Sequence, residues 1–146
     1  MRRFAFVLAM PLIAAGCATM PAPMASYVSV VDATDVPNVV PAIAGYVSQK
    51  LPAASSTVLL ETPASGGWDP VTPALTTDLR SRGFAIADAA HPGNAHRISY
   101  LVSPLDGGVL VRISIDGADQ ASEFLARDTA GKLEAGGPYT VREASL

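Results

Sequence analysis

Cysteine carries the most distinctive chemistry in this chain, and it occurs once, at position 17. The chain starts Met-Arg-Arg, which is positive, and continues with an apolar run over residues 4–15. That run has the length of a secretory signal and is shorter than the roughly 20 residues of a membrane-spanning helix. Small residues then lead directly into Cys17. This order predicts cleavage between Gly16 and Cys17 and attachment of lipid to the Cys17 thiol.

Two neighbours of the cysteine refine this interpretation. Ala14 stands where such processing sites most often carry leucine, so an ordinary signal peptide with an unpaired Cys17 is the alternative. Ala18 follows the cysteine in place of the aspartate that favours retention in the inner membrane. We therefore expect the mature protein to be anchored in the outer membrane, with its domain facing the periplasm.

The other chemically active side chains form no recognisable catalytic or metal-binding pattern. His91 and His96 flank a Pro-Gly-Asn loop without a nearby third ligand, which is typical of loop histidines in solvent. The chain has no nucleophile elbow, phosphate-binding loop or HExxH motif. Four carboxylates could in principle pair for acid/base work, but each is explained as a cap, turn or strand-edge residue: Asp32, Asp35, Glu61 and Asp69. The sequence predicts no catalytic residue, no metal and no cofactor apart from the lipid.

Trp68 is the only tryptophan and has two interpretations. Its indole could close the end of the core over the start of a helix, or it could be an exposed anchor for a partner. The position beside a predicted helix favours the core. Partner contact remains its candidate function.

Composition limits the class of protein. The formal charge is −3, and removing residues 1–16 with Arg2 and Arg3 lowers the basic count from 10 to 8 against 13 acids, which gives −5. A mildly acidic protein is a poor nucleic-acid binder. We expect a signal peptide over 1–16, an acylated N-terminus and flexible tether over 17–26, and one α+β domain over 27–146.

Apolar spacing predicts two helices. In the first, Val40, Ile43 and Val47 share one face, and Pro52 ends the helix. A proline is tolerated only in the first turn of a helix, so Pro41 must lie there. Asn38 is therefore a better cap than Asp35. The second helix opens at Asp69-Pro70 or Thr72-Pro73 and ends at Gly83, which we expect in the left-handed conformation. Its buried face carries Val71, Leu75 and Leu79. Its exposed face carries Thr72, Thr76 and Arg80.

Runs rich in β-formers predict strands around these helices and a hairpin meander after them. The alternation over 109–115 indicates a strand with one buried face. The predicted fold is a small two-layer α+β sandwich in β-α-β-α-β-β-β order, with both helices on one face of a mixed, mainly antiparallel sheet. The segments around Val28, Val58 and Phe124 are candidate edges for strand addition.

Several stretches together resemble the TrbH-type conjugal-transfer lipoproteins: the signal, Leu-Pro-Ala-Ala-Ser-Ser-Thr-Val-Leu-Leu at 51–60, Leu-Arg-Ser-Arg-Gly-Phe-Ala at 79–85, Val-Leu-Val-Arg at 109–112 and Gly-Gly-Pro-Tyr-Thr-Val-Arg at 136–142. The resemblance implies a non-enzymatic structural component of a type IV secretion (mating-pair formation) channel. Its partners would be other channel proteins of the envelope and the membrane that holds the lipid, and the assembly would set its oligomeric state.

Two other hypotheses remain at this point. The first is a ligand-binding or cell-wall-binding lipoprotein with a pocket between the helices and the sheet near Trp68. The second is a small hydrolase in which His91 or His96 lies within hydrogen-bond reach of a nucleophile.

Overall fold

The computed structural model describes residues 24–29, 31–64, 68–134 and 137–142. Two helices, α1 (Val36–Lys50) and α2 (Val71–Ser81), accompany seven strands, and a single 3₁₀ turn covers Ala53–Ser55. The strands are β1 (Tyr27–Val28), β2 (Thr57–Leu60), β3 (Ala85–Ile86), β4 (His96–Leu105), β5 (Gly108–Ile115), β6 (Asp119–Ala126) and β7 (Thr140–Arg142). The predicted α+β fold, with two helices packed against one mixed sheet, is confirmed.

The sheet is parallel at one side and antiparallel at the other. Its order is β3-β2-β4-β5-β6-β7, and β1 pairs with the second half of β4 beyond the end of β2. β1, β2 and β3 run parallel to their neighbours, whereas β4 to β7 form the predicted meander. Two of the three proposed edges are wrong, because Val58 lies in β2 between β3 and β4, and Phe124 lies in β6 between β5 and β7. Val28 does lie in a strand paired on one side only among the described residues.

α2 begins and ends at the residues that the sequence indicates. The Asp69 Oδ1 accepts the backbone N–H groups of Val71 (2.9 Å) and Thr72 (3.1 Å), so Asp69-Pro70 is the pair that opens the helix. Gly83 has φ +95°, which is the left-handed conformation expected after a helix. Val71, Leu75 and Leu79 are fully buried, as predicted.

α1 begins earlier than predicted. The helix starts at Val36, directly after Asp35, so Asn38 is not its cap and Pro41 lies in the second turn. Pro41 lacks an N–H, and the carbonyl that it would have paired belongs to Pro37, which is exposed near the helix start. The Asp35 side chain makes no cap hydrogen bond because it binds an arginine from another part of the fold.

The space between helices and sheet is filled by apolar side chains. Val40, Ile43 and Val47 of α1 meet α2 and the sheet, and the odd positions of β5 from 109 to 115 are buried beneath them. Tyr46 and Tyr100 are also fully buried in this layer. Val, Leu, Ile and Tyr side chains fill the middle of that space, which argues against a ligand pocket there. No helix among the described residues has the length and apolar character needed to cross a membrane.

Candidate functional surfaces

The lipidation and cleavage positions, Cys17 and Gly16, lie outside the described residues, and their roles stay predictions. The description begins at Met24, inside the predicted tether. The Ser26 hydroxyl accepts the backbone N–H of Tyr100 at 3.2 Å and is buried, and Ser29 N donates to the Val102 carbonyl at 2.9 Å. The last residues of the predicted tether thus already lie on the sheet.

Trp68 is 67% exposed, so its predicted place in the core is wrong. The end of the core is closed by Val71, which is fully buried three residues later, and the helix start is satisfied by Asp69. Nothing in this arrangement requires the indole for packing. An exposed tryptophan beside a well-ordered helix start fits its candidate role as a partner contact, which stays a prediction.

Beside Trp68, a polar network joins α2 to the sheet. The Thr72 hydroxyl donates to the Asp69 Oδ2 and contacts the Tyr100 hydroxyl, so Thr72 faces the sheet and the prediction that it faces away is wrong. Burial, reinforced by the Asp69 charge and opposed by the Thr72 contact, raises the pKa of Tyr100 to about 12. This phenol is therefore protonated at neutral pH and ties the two layers together. The network was missed from the sequence because its members lie 28 residues apart.

An open cavity of about 530 Å³ lies next to this network, at the ends of β2 and β3. Glu61, Thr76, Asp88 and Arg97 are among its lining side chains. Glu61 is engaged on the sheet, where its Oε1 accepts Arg97 Nη1 and its Oε2 accepts the Ser99 hydroxyl, both at 2.8 Å. Two of the charged side chains at this rim, Glu61 and Arg97, are therefore already paired with each other.

The two histidines do not form a site together. The His96 Nδ1 lies 2.7 Å from the Asp116 Oδ2, while the Asp116 Oδ1 accepts the Arg97 N–H at 2.8 Å. His91 sits across an isolated bridge from Asp88. Within the described ranges, no three His, Cys, Asp or Glu side chains are grouped as metal ligands.

The hydrolase hypothesis finds an imidazole and an orienting carboxylate but no activated nucleophile. Ser55 and Ser56 line the same surface cavity as His91 and His96. The Ser55 hydroxyl donates to the Pro52 carbonyl at 3.5 Å, a weak bond, and neither imidazole is its partner. The hydrogen bond between nucleophile and base that acyl transfer needs is therefore not made here.

The remaining candidate carboxylates have structural partners. Asp32 caps a turn by accepting the Thr34 N–H at 3.0 Å, and this hydrogen bond lowers its pKa. Asp35 is buried and binds Arg127 through two bonds, from Nη1 to Oδ1 at 2.9 Å and from Nη2 to Oδ2 at 2.6 Å. The same Nη1 also donates to the Gly131 carbonyl at 2.8 Å. Asp35 thus pins the start of α1 to the end of β6, 92 residues further along the chain.

A second cluster joins α1 to the C-terminal strand. The Tyr139 hydroxyl donates to the Ala42 carbonyl at 2.6 Å, and its ring lies 5.1 Å from that of Tyr46 at an angle of 55°. Gly45 leaves room for this approach, because a Cβ there would lie 3.3 Å from the Tyr139 hydroxyl. Burial, with the Glu123 carboxylate nearby, raises the pKa of Tyr139 to about 12. Tyr139, at the end of the Gly-Gly-Pro-Tyr motif of the sequence, thus has a packing role.

The sheet face opposite the helices has no helix packed on it among the described residues, and we call it the bare face. Cross-strand register places the following residues on it: Tyr27, Glu61, Arg97, Ser99, Leu101, Ser103, Leu105, Leu110, Arg112, Gln120, Ser122, Phe124, Thr140 and Arg142. Phe124 is 43% exposed and covers Gly108, where a Cβ would lie 2.7 Å from the ring. Leu105 and Tyr27 are about half exposed as well.

Fold and surfaces define a small α+β protein whose polar side chains are engaged in holding elements together and whose exposed features are surfaces for contact. The chain matches the family described as conjugal transfer protein TrbH over residues 22–144. It therefore belongs to the TrbH family, and this membership implies a role in conjugal transfer with other transfer-machinery proteins as partners. Comparisons with curated proteins and with solved structures gave no match.

Proposed function

We propose that this protein is a non-enzymatic outer-membrane lipoprotein, anchored through acyl chains on Cys17, that serves as a structural component of a type IV secretion channel for conjugal transfer. The match to the conjugal transfer family over residues 22–144 carries this proposal. The signal-like run before Cys17 supports the anchor, and Ala18 supports outer-membrane sorting.

The state of the polar side chains supports a structural role. Asp35, Glu61 and Asp69 each bind a side chain or backbone group that joins two elements of the fold. A catalytic carboxylate needs freedom to exchange protons with a substrate, whereas these are committed to capping and pairing. Trp68, by contrast, is exposed and offers the kind of aromatic side chain that dominates protein interfaces.

The anchor is tested by radiolabelled palmitate incorporation and envelope fractionation of two variants. We expect Cys17→Ser to abolish labelling and release a folded domain from the outer-membrane fraction. We expect Ala18→Asp, the matched control, to keep the label but move the protein to the inner-membrane fraction. Labelling of Cys17→Ser equal to that of the parent protein would remove the anchor from the proposal.

The assembly role is tested by crosslinking and co-purification from cells that produce the whole transfer apparatus. We expect the protein to co-purify with other transfer proteins. We expect Trp68→Ala to lower their recovery several-fold, whereas Leu105→Ala, which also truncates an exposed apolar side chain, leaves it unchanged. Migration as a lone monomer in such cells would contradict the assembly role.

A further inference from the structure

The bare face has a charge opposite to that of the whole protein. The chain carries a formal charge of −3. The bare face carries three arginines, Arg97, Arg112 and Arg142, against two acids. Glu61 is paired with Arg97 at 2.8 Å, and Asp116 lines a cavity on this face together with Glu61 and Arg97. The turn that holds Asp106 lies beyond the N-terminal end of β5. Within the described residues, Arg112 and Arg142 have no carboxylate partner, so their two positive charges are unpaired.

Apolar and amphipathic side chains stand beside these charges. Arg112 lies opposite Leu101 on β4 and Ser122 on β6, and Leu110 lies opposite Phe124. Tyr27, Leu105 and Phe124 are the large exposed members of this group. Arginine next to exposed aromatic and aliphatic side chains is the composition found where proteins rest at the headgroup level of a bilayer.

The chain enters the domain across this same face. Met24 lines one cavity with Arg112, Ser122 and Arg142, and a second cavity with Glu61 and Ser99, so it lies over the middle of the bare face. Cys17 is seven residues before Met24, and a chain spans at most roughly 3.6 Å per residue. The length of the chain therefore limits the distance between the Cα atoms of Cys17 and Met24 to about 25 Å.

We propose that the bare face is the surface with which the domain lies on an anionic phospholipid leaflet, the same leaflet that holds the lipid of Cys17. The inference rests on the proposed anchor. The anchor confines the domain close to the bilayer, the entry of the chain at Met24 turns the bare face toward it, and Arg112 and Arg142 supply attraction to anionic headgroups. The helix layer and Trp68 then point away from the membrane, toward protein partners.

The expected strength of the contact between the bare face and the membrane follows from the two arginines without a carboxylate partner among the described residues. A basic side chain near an anionic leaflet shifts the equilibrium between lying on the membrane and standing away from it by roughly fivefold. Replacing both arginines should lower that ratio by roughly 25-fold. High salt should have a similar effect because exposed charges are screened within about a Debye length.

Trp68 allows a direct test of orientation because it is the only tryptophan in the chain. The mature full-length protein is reconstituted into vesicles of phosphatidylcholine, or of phosphatidylcholine mixed with phosphatidylglycerol, in which part of the phosphatidylcholine is brominated. One reporter is native Trp68, and the other is Phe124→Trp combined with Trp68→Phe. Leu105→Trp in the same background serves as a second reporter if the substitution at Phe124 disturbs the fold.

We expect lipid bromines to quench tryptophan at position 124 strongly on anionic vesicles, weakly on neutral ones, and Trp68 on neither. We expect Arg112→Ser with Arg142→Ser to remove the difference between the two lipids. Arg80→Ser with Arg82→Ser, which deletes the same charge from α2, should leave it intact.

Three results would overturn the inference, provided that the protein stays anchored to both vesicle types. The first is equal quenching on both lipids, and the second is quenching of Trp68 in place of position 124. The third comes from a photoreactive group placed at position 124 in native envelopes, if it attaches to a protein rather than to phospholipid. Failure to float with neutral vesicles is a different result. It would show that the lipid anchor is missing and would remove the proposed anchor together with this inference.

Discussion

The bond between Asp35 and Arg127 should be the most costly single ion pair to break. The Asp35 side chain is 4% exposed and its partner 34% exposed, and both carboxylate oxygens accept from the guanidinium. Arg127→Met removes the donors and leaves the carboxylate buried without them. Breaking a buried pair costs roughly 3–5 kcal/mol, and the partial exposure of Arg127 places this one at the lower end, at about 3 kcal/mol.

Arg82→Met is the matched control for this prediction. Arg82 is also 34% exposed and pairs with Asp78 at 2.7 Å, but that carboxylate is 28% exposed. The pair spans one helical turn at the surface, where such pairs contribute about 0.3–0.5 kcal/mol. The two arginines therefore differ mainly in the burial of the carboxylate they serve.

The assay is urea unfolding followed by far-UV circular dichroism, in the Cys17→Ser background to avoid detergent. We expect Arg127→Met to lower the unfolding midpoint strongly at constant slope, and Arg82→Met to shift it only slightly. A loss below about 1 kcal/mol for Arg127→Met, or equal losses for both variants, would refute the argument that burial of Asp35 sets the cost.

Three further outcomes follow from single positions. Gly108→Ala should cost about 2 kcal/mol or more in the same assay, because its Cβ would meet the Leu125 carbonyl and the Phe124 ring, whereas Gly117→Ala, with open space around it, should cost only about 1 kcal/mol. The unfolding free energy should fall from about pH 10 to 12, because unfolded Tyr100 and Tyr139 lose their protons near pH 10 and the folded phenols near pH 12. Tyr100 should contribute about 1.4 kcal/mol per pH unit and the more exposed Tyr139 less, so Tyr100→Phe should remove the larger part of the slope, and an unchanged slope would assign it to other groups. Trp68→Ala should change the unfolding free energy by less than about 0.5 kcal/mol, and a loss of several kcal/mol would restore a packing role.

The predictions that held are those encoded by neighbouring residues. Asp69-Pro70 and Gly83 mark the ends of α2 through interactions within a few residues, so the sequence alone locates that helix. The alternation over 109–115 likewise indicates which side chains of that strand are buried, because successive side chains of a strand point to opposite faces. Local chemistry was sufficient for the helices and the meander, and so for the fold class.

The predictions that failed depend on distant partners. Asn38 was preferred to Asp35 as the cap of α1, but the helix starts directly after Asp35, whose carboxylate binds an arginine 92 residues away. Val58 and Phe124 were candidate edge positions, but both lie in inner strands. Strand order in a sheet is set by long-range pairing, which the local sequence does not encode. Trp68 was assigned to the core because it lies beside the start of α2, whereas the buried side chain at that helix start is Val71. The members of the bare face depend in the same way on the register of six strands, which is set by long-range pairing.

The way in which β1 is attached determines how the domain responds to tension. A pull transmitted through the residues before Met24 reaches β1 first, which pairs with β4 at only two positions and is reinforced by the bonds at Ser26 and Ser29. β1 is attached to the β4–β5–β6 meander through β4, and the meander itself is joined by long antiparallel ladders. Under tension β1 should therefore detach from β4 before the β4–β5–β6 ladders separate. The chain between the anchor and the folded domain would then become longer while the rest of the fold stays intact.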